Sequence, residues 1–197
     1  MPKGASVPGS TGTYLTKSDL DFIKKQNGVS EVASAIARQS EVKNDLKKLG
    51  KWVFIMGMPT DSSEIRLMEE AFGGYGILEG RELKKGDSGK VVLGYNYMLA
   101  DKIFSKPLKL GDNIFIKGKP FDIIGFYEEI GSPSDDANVY LTNDVMKELF
   151  DAGDKYDYLF IKAEKDANPT ELADRLTEKL RKKKGQKEGE EDFYIQS

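Results

Sequence analysis

Residues 113–127 constrain the fold of this chain more than any other stretch. Ile114 and Ile116 precede Lys117-Gly118-Lys119-Pro120, and Phe121 and Ile123 follow it. Apolar residues at a spacing of two on either side of a Gly/Pro-containing turn predict an antiparallel hairpin. With helical stripes before and after it, such a hairpin argues against a doubly wound parallel sheet, whose strands need crossover helices. The predicted class is α+β, a mixed α/β arrangement.

The helical stripes carry their own boundaries. Thr16-Lys17-Ser18-Asp19 reads as a capping box with Asp in place of the usual Glu, and Leu15 and Leu20 are spaced for a hydrophobic staple. Leu20, Phe22 and Ile23 supply an apolar face that Asn27-Gly28 closes. A second helix is expected from Asp61, with Ile65, Met68 and Phe72 on one stripe and Gly73 as its stop. A third is expected over residues 96–104, carrying Leu99, Ala100, Ile103 and Phe104. A fourth starts at Thr142 and turns Val145, Met146, Leu149 and Phe150 inward. The last has Asn168 as cap, Pro169 at its first position, and Leu172, Leu176 and Leu180 four apart. Strands are predicted at Val29–Ala37, Lys51–Met58, Lys90–Gly94, Asn138–Leu141, Tyr158–Ala163 and Phe193–Gln196, where β-branched and aromatic residues gather.

This order suggests a division of the chain. Residues 1–14 are small and polar and read as a flexible lead-in. Residues 15–60 offer helix, strand, strand, and residues 151–197 offer strand, helix, strand; together they are expected to form one subdomain from both chain ends. Residues 61–150 are expected to form a second, inserted subdomain.

Composition then excludes whole classes of chemistry. The 197 residues contain no Cys and no His. Thiol nucleophiles, disulfides, imidazole bases and most zinc, copper and haem ligand sets are therefore absent. Thirty basic against 33 acidic residues give a net charge of −3, which provides no general cationic field for nucleic acid. The longest apolar run, Trp52 to Met58, suits a buried strand and is far short of a bilayer span.

Several constellations have a plain reading and a sharper one. Gly73-Gly74-Tyr75-Gly76 lacks the Lys-Ser/Thr of a P-loop and reads as a turn after a helix. Asn96, after Val91-Val92-Leu93-Gly94, reads as a helix cap, with an anion-binding turn as the alternative. Asp135-Asp136 lacks the spacing of a calcium loop and reads as exposed acid, as does the acidic run of residues 188–192. Lys179, Arg181, Lys182, Lys183 and Lys184 complement the negative end of the last helix; the alternative is contact with anionic lipid headgroups. No Gly-x-Ser-x-Gly elbow is present, and chance pairs among 33 carboxylates make a poor case for hydrolysis.

Residues 77–126 carry an ordered series: Gly80-Arg81, then Val92-Leu93-Gly94, Leu99-Ala100, Gly111-Asp112, Gly118, Phe121 and Gly125. Gly28-Val29-Ser30-Glu31-Val32 stands upstream of it. The series resembles the extracytoplasmic core domain of MacB/FtsX/LolC-type ABC transporter permeases. Each motif residue also has a local structural reading, at a turn or in the core, so these twelve positions are expected to define a fold. The resemblance implies a porter-like subdomain from both chain ends with a smaller inserted one, placed outside the membrane between helices before residue 1 and after residue 197. It further implies a non-catalytic part that transmits motion or supports export, with no cofactor of its own and ATP bound by a separate cytoplasmic subunit or domain. The implied partners are that ATPase, a second permease copy, and an extracytoplasmic adaptor or substrate. The alternative is a free-standing protein-interaction domain of the same fold.

Overall fold

The structure, a computed structural model, describes residues 14–71 and 76–197. The lead-in up to residue 13, Phe72, Gly73, Gly74 and Tyr75 lie outside the described residues. In chain order the elements are β1 (Leu15–Thr16), α1 (Lys17–Lys24), β2 (Val29–Ala35), β3 (Ala37–Lys43), β4 (Lys51–Met58), α2 (Ser62–Ala71), β5 (Ile77–Gly80) and β6 (Lys90–Leu93). They continue as β7 (Asn113–Ile116), β8 (Lys119–Tyr127), β9 (Val139–Thr142), α3 (Asn143–Phe150), β10 (Lys155–Tyr156), β11 (Tyr158–Ala163) and α4 (Pro169–Lys184). The fold is α+β, as predicted.

The predicted hairpin organises the centre. Lys117 and Gly118 both have positive φ, 50° and 78°, so β7 and β8 join through a two-residue turn of the kind that matches strand twist. Seven strands run in the order β5-β8-β6-β9-β4-β3-β7, and β7 also pairs with β8. Six of them, β8-β6-β9-β4-β3-β7, therefore close into a ring, with β5 attached to the far half of β8. Closure removes the free edges that an open sheet would present.

Side chains sort by pleat. Val42, Ile55, Val91, Leu93, Ile114, Ile116, Ile123, Val139 and Leu141 belong to one buried cluster. Their neighbours on the other face, Met58, Val92, Tyr127 and Tyr140, belong to a second one. That second cluster is covered by Ala33 and Ala35 of β2, half-buried Tyr158 and Phe160 of β11, and Leu67 and Met68 of α2. β2 and β11 form their own antiparallel pair. Val32 and Ile36 point the opposite way, into the cluster that also holds Leu20 and Ile23 of α1 and Leu172, Leu176 and Leu180 of α4.

Three expectations need correction. Residues 96–104 do not form an α-helix; Tyr95–Met98 make one 3-10 turn, Leu99 is extended, and Asp101 has φ 60°. Tyr97, Phe104 and Leu108 are buried by a looped path, with the Leu108 amide donating to the Tyr97 carbonyl at 2.9 Å. Phe193–Gln196 is not a strand. Phe193 is buried and Ile195 half-buried, so an extended tail shows a period of two without any ladder. The expected strand Val29–Ala37 is two strands that part at Ile36, whose carbonyl accepts from the Gly57 amide. The seven-stranded sheet also runs across residue 60, since β3 and β4 bond to β7 and β9.

Candidate functional site at the joined chain ends

The two ends of the chain meet in three ways. β1 pairs with β10, β2 pairs with β11 over its whole length, and α1 lies against α4. The expected capping box is present: the Thr16 hydroxyl accepts from the Asp19 amide, and the Asp19 carboxylate accepts from the Thr16 amide at 2.9 Å. The rest of Asp19 is turned to α4. Its side chain is only 4% exposed, and Lys183 Nζ donates to it at 2.6 Å. Lys184 stands 3.9 Å from the same carboxylate, pairs with Asp192 at 2.9 Å, and donates to the Tyr14 carbonyl at 3.2 Å. Burial by itself would raise the Asp19 pKa, but the Lys183 hydrogen bond and those from Thr16 overcome it and hold the carboxyl below its ordinary range.

This arrangement revises the reading of the charge runs. The cations of the last helical turn do sit at the dipole's negative end, before Gly185 in the left-handed cap. They are also engaged in the fold. Arg181 pairs with Glu191 at 2.9 Å, Lys182 with Glu178, and Lys183 with Asp19. The acidic run of residues 188–192 is correspondingly not wholly solvated, because Glu191 and Asp192 answer Arg181 and Lys184. Farther along, Lys179 Nζ donates to the Gln26 side chain at 2.8 Å, and Arg175 to the Asn27 carbonyl at 2.6 Å.

The motif residues lie elsewhere, along the ring. Gly80 has φ 85°, and a Cβ there would strike the Ile124 carbonyl oxygen; a Cβ on Gly125 would strike that of Arg81. The Arg81 amide donates to Ile124, and its guanidinium forms a two-pronged contact with Asp87 at 2.7 and 3.0 Å. That hydrogen bond holds the Asp87 carboxyl below its usual range. Val92 and Leu93 are core residues of β6. Gly94 lets the Asp136 carbonyl approach where a Cβ would otherwise stand. Leu99 and Ala100 fall in the loop after the 3-10 turn, Leu99 half-buried and Ala100 exposed. The Gly111 amide donates to the Ile123 carbonyl, and Asp112 caps the Lys109 amide at 2.9 Å. Gly118 supplies the hairpin turn, and Phe121 fills the ring.

One acidic residue departs from its expected exposure, and a second had no expectation attached to it. Asp135 is exposed, but Asp136 is buried and accepts from the Ile130 and Gly131 amides at 2.7 and 3.1 Å, pinning a loop. Asp157, just before β11, ties it to β3 by accepting from the Ala37 amide at 2.9 Å and from Arg38 at 2.5 Å, and to β2 by donating its amide to the Ala35 carbonyl at 3.1 Å. Asp136 stood in an acidic pair that showed nothing of its burial, and Asp157 offered only a single Asp beside a β-rich run. Asn96 is not a cap, as its side-chain amide donates to the Pro133 carbonyl at 3.3 Å.

No described set of three or more His, Cys, Asp or Glu side chains is placed to hold a metal ion. Two shallow concavities on the α1–α4 face share Phe22 and Lys183 and are open to solvent. The structure thus offers a junction where buried charge is added to an apolar helix contact, beside a ring held by apolar packing. No helix among the described residues is long and apolar enough to cross a membrane.

Comparison with known proteins agrees with this architecture. The sequence model of the MacB-like periplasmic core domain matches residues 1–179. An uncharacterised ABC transporter permease of Methanocaldococcus jannaschii is 29% identical over 182 residues, covering 92% of this chain. The chain spans 43% of that relative's length. Among solved structures, the periplasmic region of MacB from Actinobacillus actinomycetemcomitans has a TM-score of 0.73 at 21% identity, over 95% of this chain and 80% of that one. The extracellular domain of the noncanonic ABC-type transporter YknZ from Gram-positive bacteria has a TM-score of 0.70 at 18% identity, over 94% and 90%.

Proposed function

From the premise that this chain belongs to the family of MacB-like periplasmic core domains, we infer that it relays movement: ATP hydrolysed by a separate cytoplasmic subunit or domain is converted into displacement outside the membrane. It is an extracytoplasmic domain of an ABC transporter permease. The observation that carries the relay of movement is the junction. A force entering through either end of the described chain reaches the Asp19–Lys183 pair and the β2–β11 ladder, and passes to the ring through Ile36, Arg38 and Asp157. A domain that relays displacement needs such stiff connections, and it needs no nucleophile or base. The working unit in this reading is a pair of permease copies with their ATPases, moving an adaptor or an amphiphilic substrate against the outer domains.

The test uses the full-length permease with its ATPase in proteoliposomes. Because the domain has no cysteine, a single Ser105→Cys spin label at an exposed loop position reports the distance between copies. The expected result is a distance that changes on ATP binding and returns after hydrolysis. In Asp19→Ala, ATP should still be hydrolysed while that change shrinks. A distance indifferent to nucleotide overturns the reading.

A further inference from the structure

The hairpin between β3 and β4 gathers three of the seven exposed large apolar side chains of the described residues in one short segment. Leu49 is 93% exposed, Trp52 75% and Leu46 54%. The segment is nevertheless ordered. The Asp45 side chain accepts from the Lys47 amide at 2.9 Å, its carbonyl accepts from the Lys48 amide at 3.1 Å, and the Glu41 carboxylate accepts from the Gly50 amide at 2.8 Å. A Cβ on Gly50 would collide with the Val42 carbonyl, so the return of the chain is tightly shaped.

The exposed residues continue a stripe. Register pairs Glu41 with Trp52, Gln39 with Phe54 and Ala37 with Met56, so Trp52, Phe54 and Met56 share the outer face of β4. Met56 packs against the second buried cluster, Phe54 is half-buried, and Trp52 stands in the open. Apolar surface therefore emerges from the core and runs to the hairpin tip. Around it stand Lys43, Lys47, Lys48 and Lys51, which against Glu41 and Asp45 give residues 41–52 a net charge of +2 in a chain of −3. The two carboxylates do not bind these cations tightly: Lys43 reaches Glu41 at 3.4 Å, and Lys48 reaches Asp45 at 3.9 Å.

We propose that this hairpin tip is an interfacial foot that seats on an anionic lipid surface. Tryptophan favours the headgroup level, where its ring is half apolar and its N–H finds a partner. Leucines beside it bury apolar area among the upper acyl chains, and lysines around them are drawn by the negative surface potential. A partner protein could meet an apolar stripe as well, but a ring of lysines around Trp and Leu at a turn fits a charged, apolar-backed interface that has no fixed shape. The foot would hold the ring at a set angle to the membrane, independently of whether the domain relays ATP-driven movement.

Trp52 is the only tryptophan in the chain and reports on its own environment. The isolated chain is titrated with vesicles of equal phosphatidylglycerol and phosphatidylcholine, and with phosphatidylcholine alone. The expected result is a blue shift of Trp52 emission on the anionic vesicles, reversed by 0.5 M salt, and none on the neutral ones. Lys47→Glu with Lys48→Glu should weaken binding by at least about fivefold per lysine, and Leu49→Asp should abolish the shift. Because these side chains are exposed, circular dichroism should show each variant folded. Absence of a shift overturns the proposal, as does an equal shift on both vesicle types. A shift that grows with protein concentration and needs no vesicles also overturns it, since a second copy would then cover the stripe.

Discussion

The ring and the chain-end junction share one apolar core, but only the junction adds a buried ion pair to it. In the ring, each strand of the closed order contributes buried aliphatic residues, and glycines permit backbone to approach backbone. At the junction, a carboxylate and two lysines sit where an apolar contact would have served for stability alone. Buried ion pairs stabilise less than well-packed apolar groups of the same volume, yet breaking one side of such a pair is costly. The difference teaches that the ring is a body to be kept in shape, while the junction fixes how two chain ends are set against each other. Charge is specific about partner and direction in a way that packing is not.

Breaking the ring should have the largest effect. Leu141 is fully buried on β9, between β4 and β6. Leu141→Ala should cost about 3–4 kcal/mol, through lost burial and the cavity left behind, read as a lower urea midpoint at unchanged slope. Gly80→Ala should cost about 3 kcal/mol, since it adds left-handed strain to a collision with the Ile124 carbonyl. If Gly80→Ala proves neutral, the close approach of β5 to β8 is not what that glycine serves.

The two regions also differ in how far they can be read from sequence. The hairpin, the capping box of α1 and the leucine stripe of α4 depend on neighbours within a few residues, and their boundaries were accessible to a local reading. Lys51–Met58 and Tyr158–Ala163 emerged with the expected limits. Asp19 was seen only as half of a cap. Its bond to Lys183 joins residues 164 positions apart, and no spacing rule reaches that far. The strand β3 was missed beyond Ala37 because its outward residues, among them Gln39, Glu41 and Lys43, dilute the buried ones, Ser40 and Val42. Residues 96–104 carry a helical stripe of which the loop fully buries only Phe104, and Tyr97, outside that stripe, is fixed by its hydroxyl on the Ala137 carbonyl at 3.0 Å. The family motif was legible as an ordered string, yet its residues spread around the ring and do not converge on one cleft.

Breaking the junction should cost less than breaking the ring, and the loss should depend on pH. Asp19→Asn keeps the shape of the cap but removes the charge that answers Lys183, at a cost of about 2 kcal/mol near neutral pH. The fold holds the Asp19 carboxyl below its unfolded pKa, so the ionised form is the one that folding favours. Its stabilisation is complete above the ordinary Asp range and fades as pH falls through the lowered folded value. The difference between the two proteins should therefore be full at pH 7 and shrink in acid, in urea titrations at a series of pH values. A gap that stays constant with pH would assign the effect to the cap hydrogen bonds alone.

The smallest effect sharpens the comparison within one helix. Asp21 lies two residues from Asp19 on α1 and pairs with Lys17 at 3.2 Å, but both side chains face water, 64% exposed for Lys17 and 48% for Asp21. An exposed pair one turn apart gains little, because solvent screens it and two long side chains must be ordered to make it. Asp21→Asn should change stability by no more than about 0.5 kcal/mol, and 0.5 M salt should erase even that. The same helix, the same residue type and the same substitution would then differ from Asp19→Asn in burial, in the cap bonds to Thr16 and in the contact with α4. Equal costs at the two positions would mean that the contact with α4 contributes nothing special, and the junction would have to be sought in the β2–β11 ladder instead.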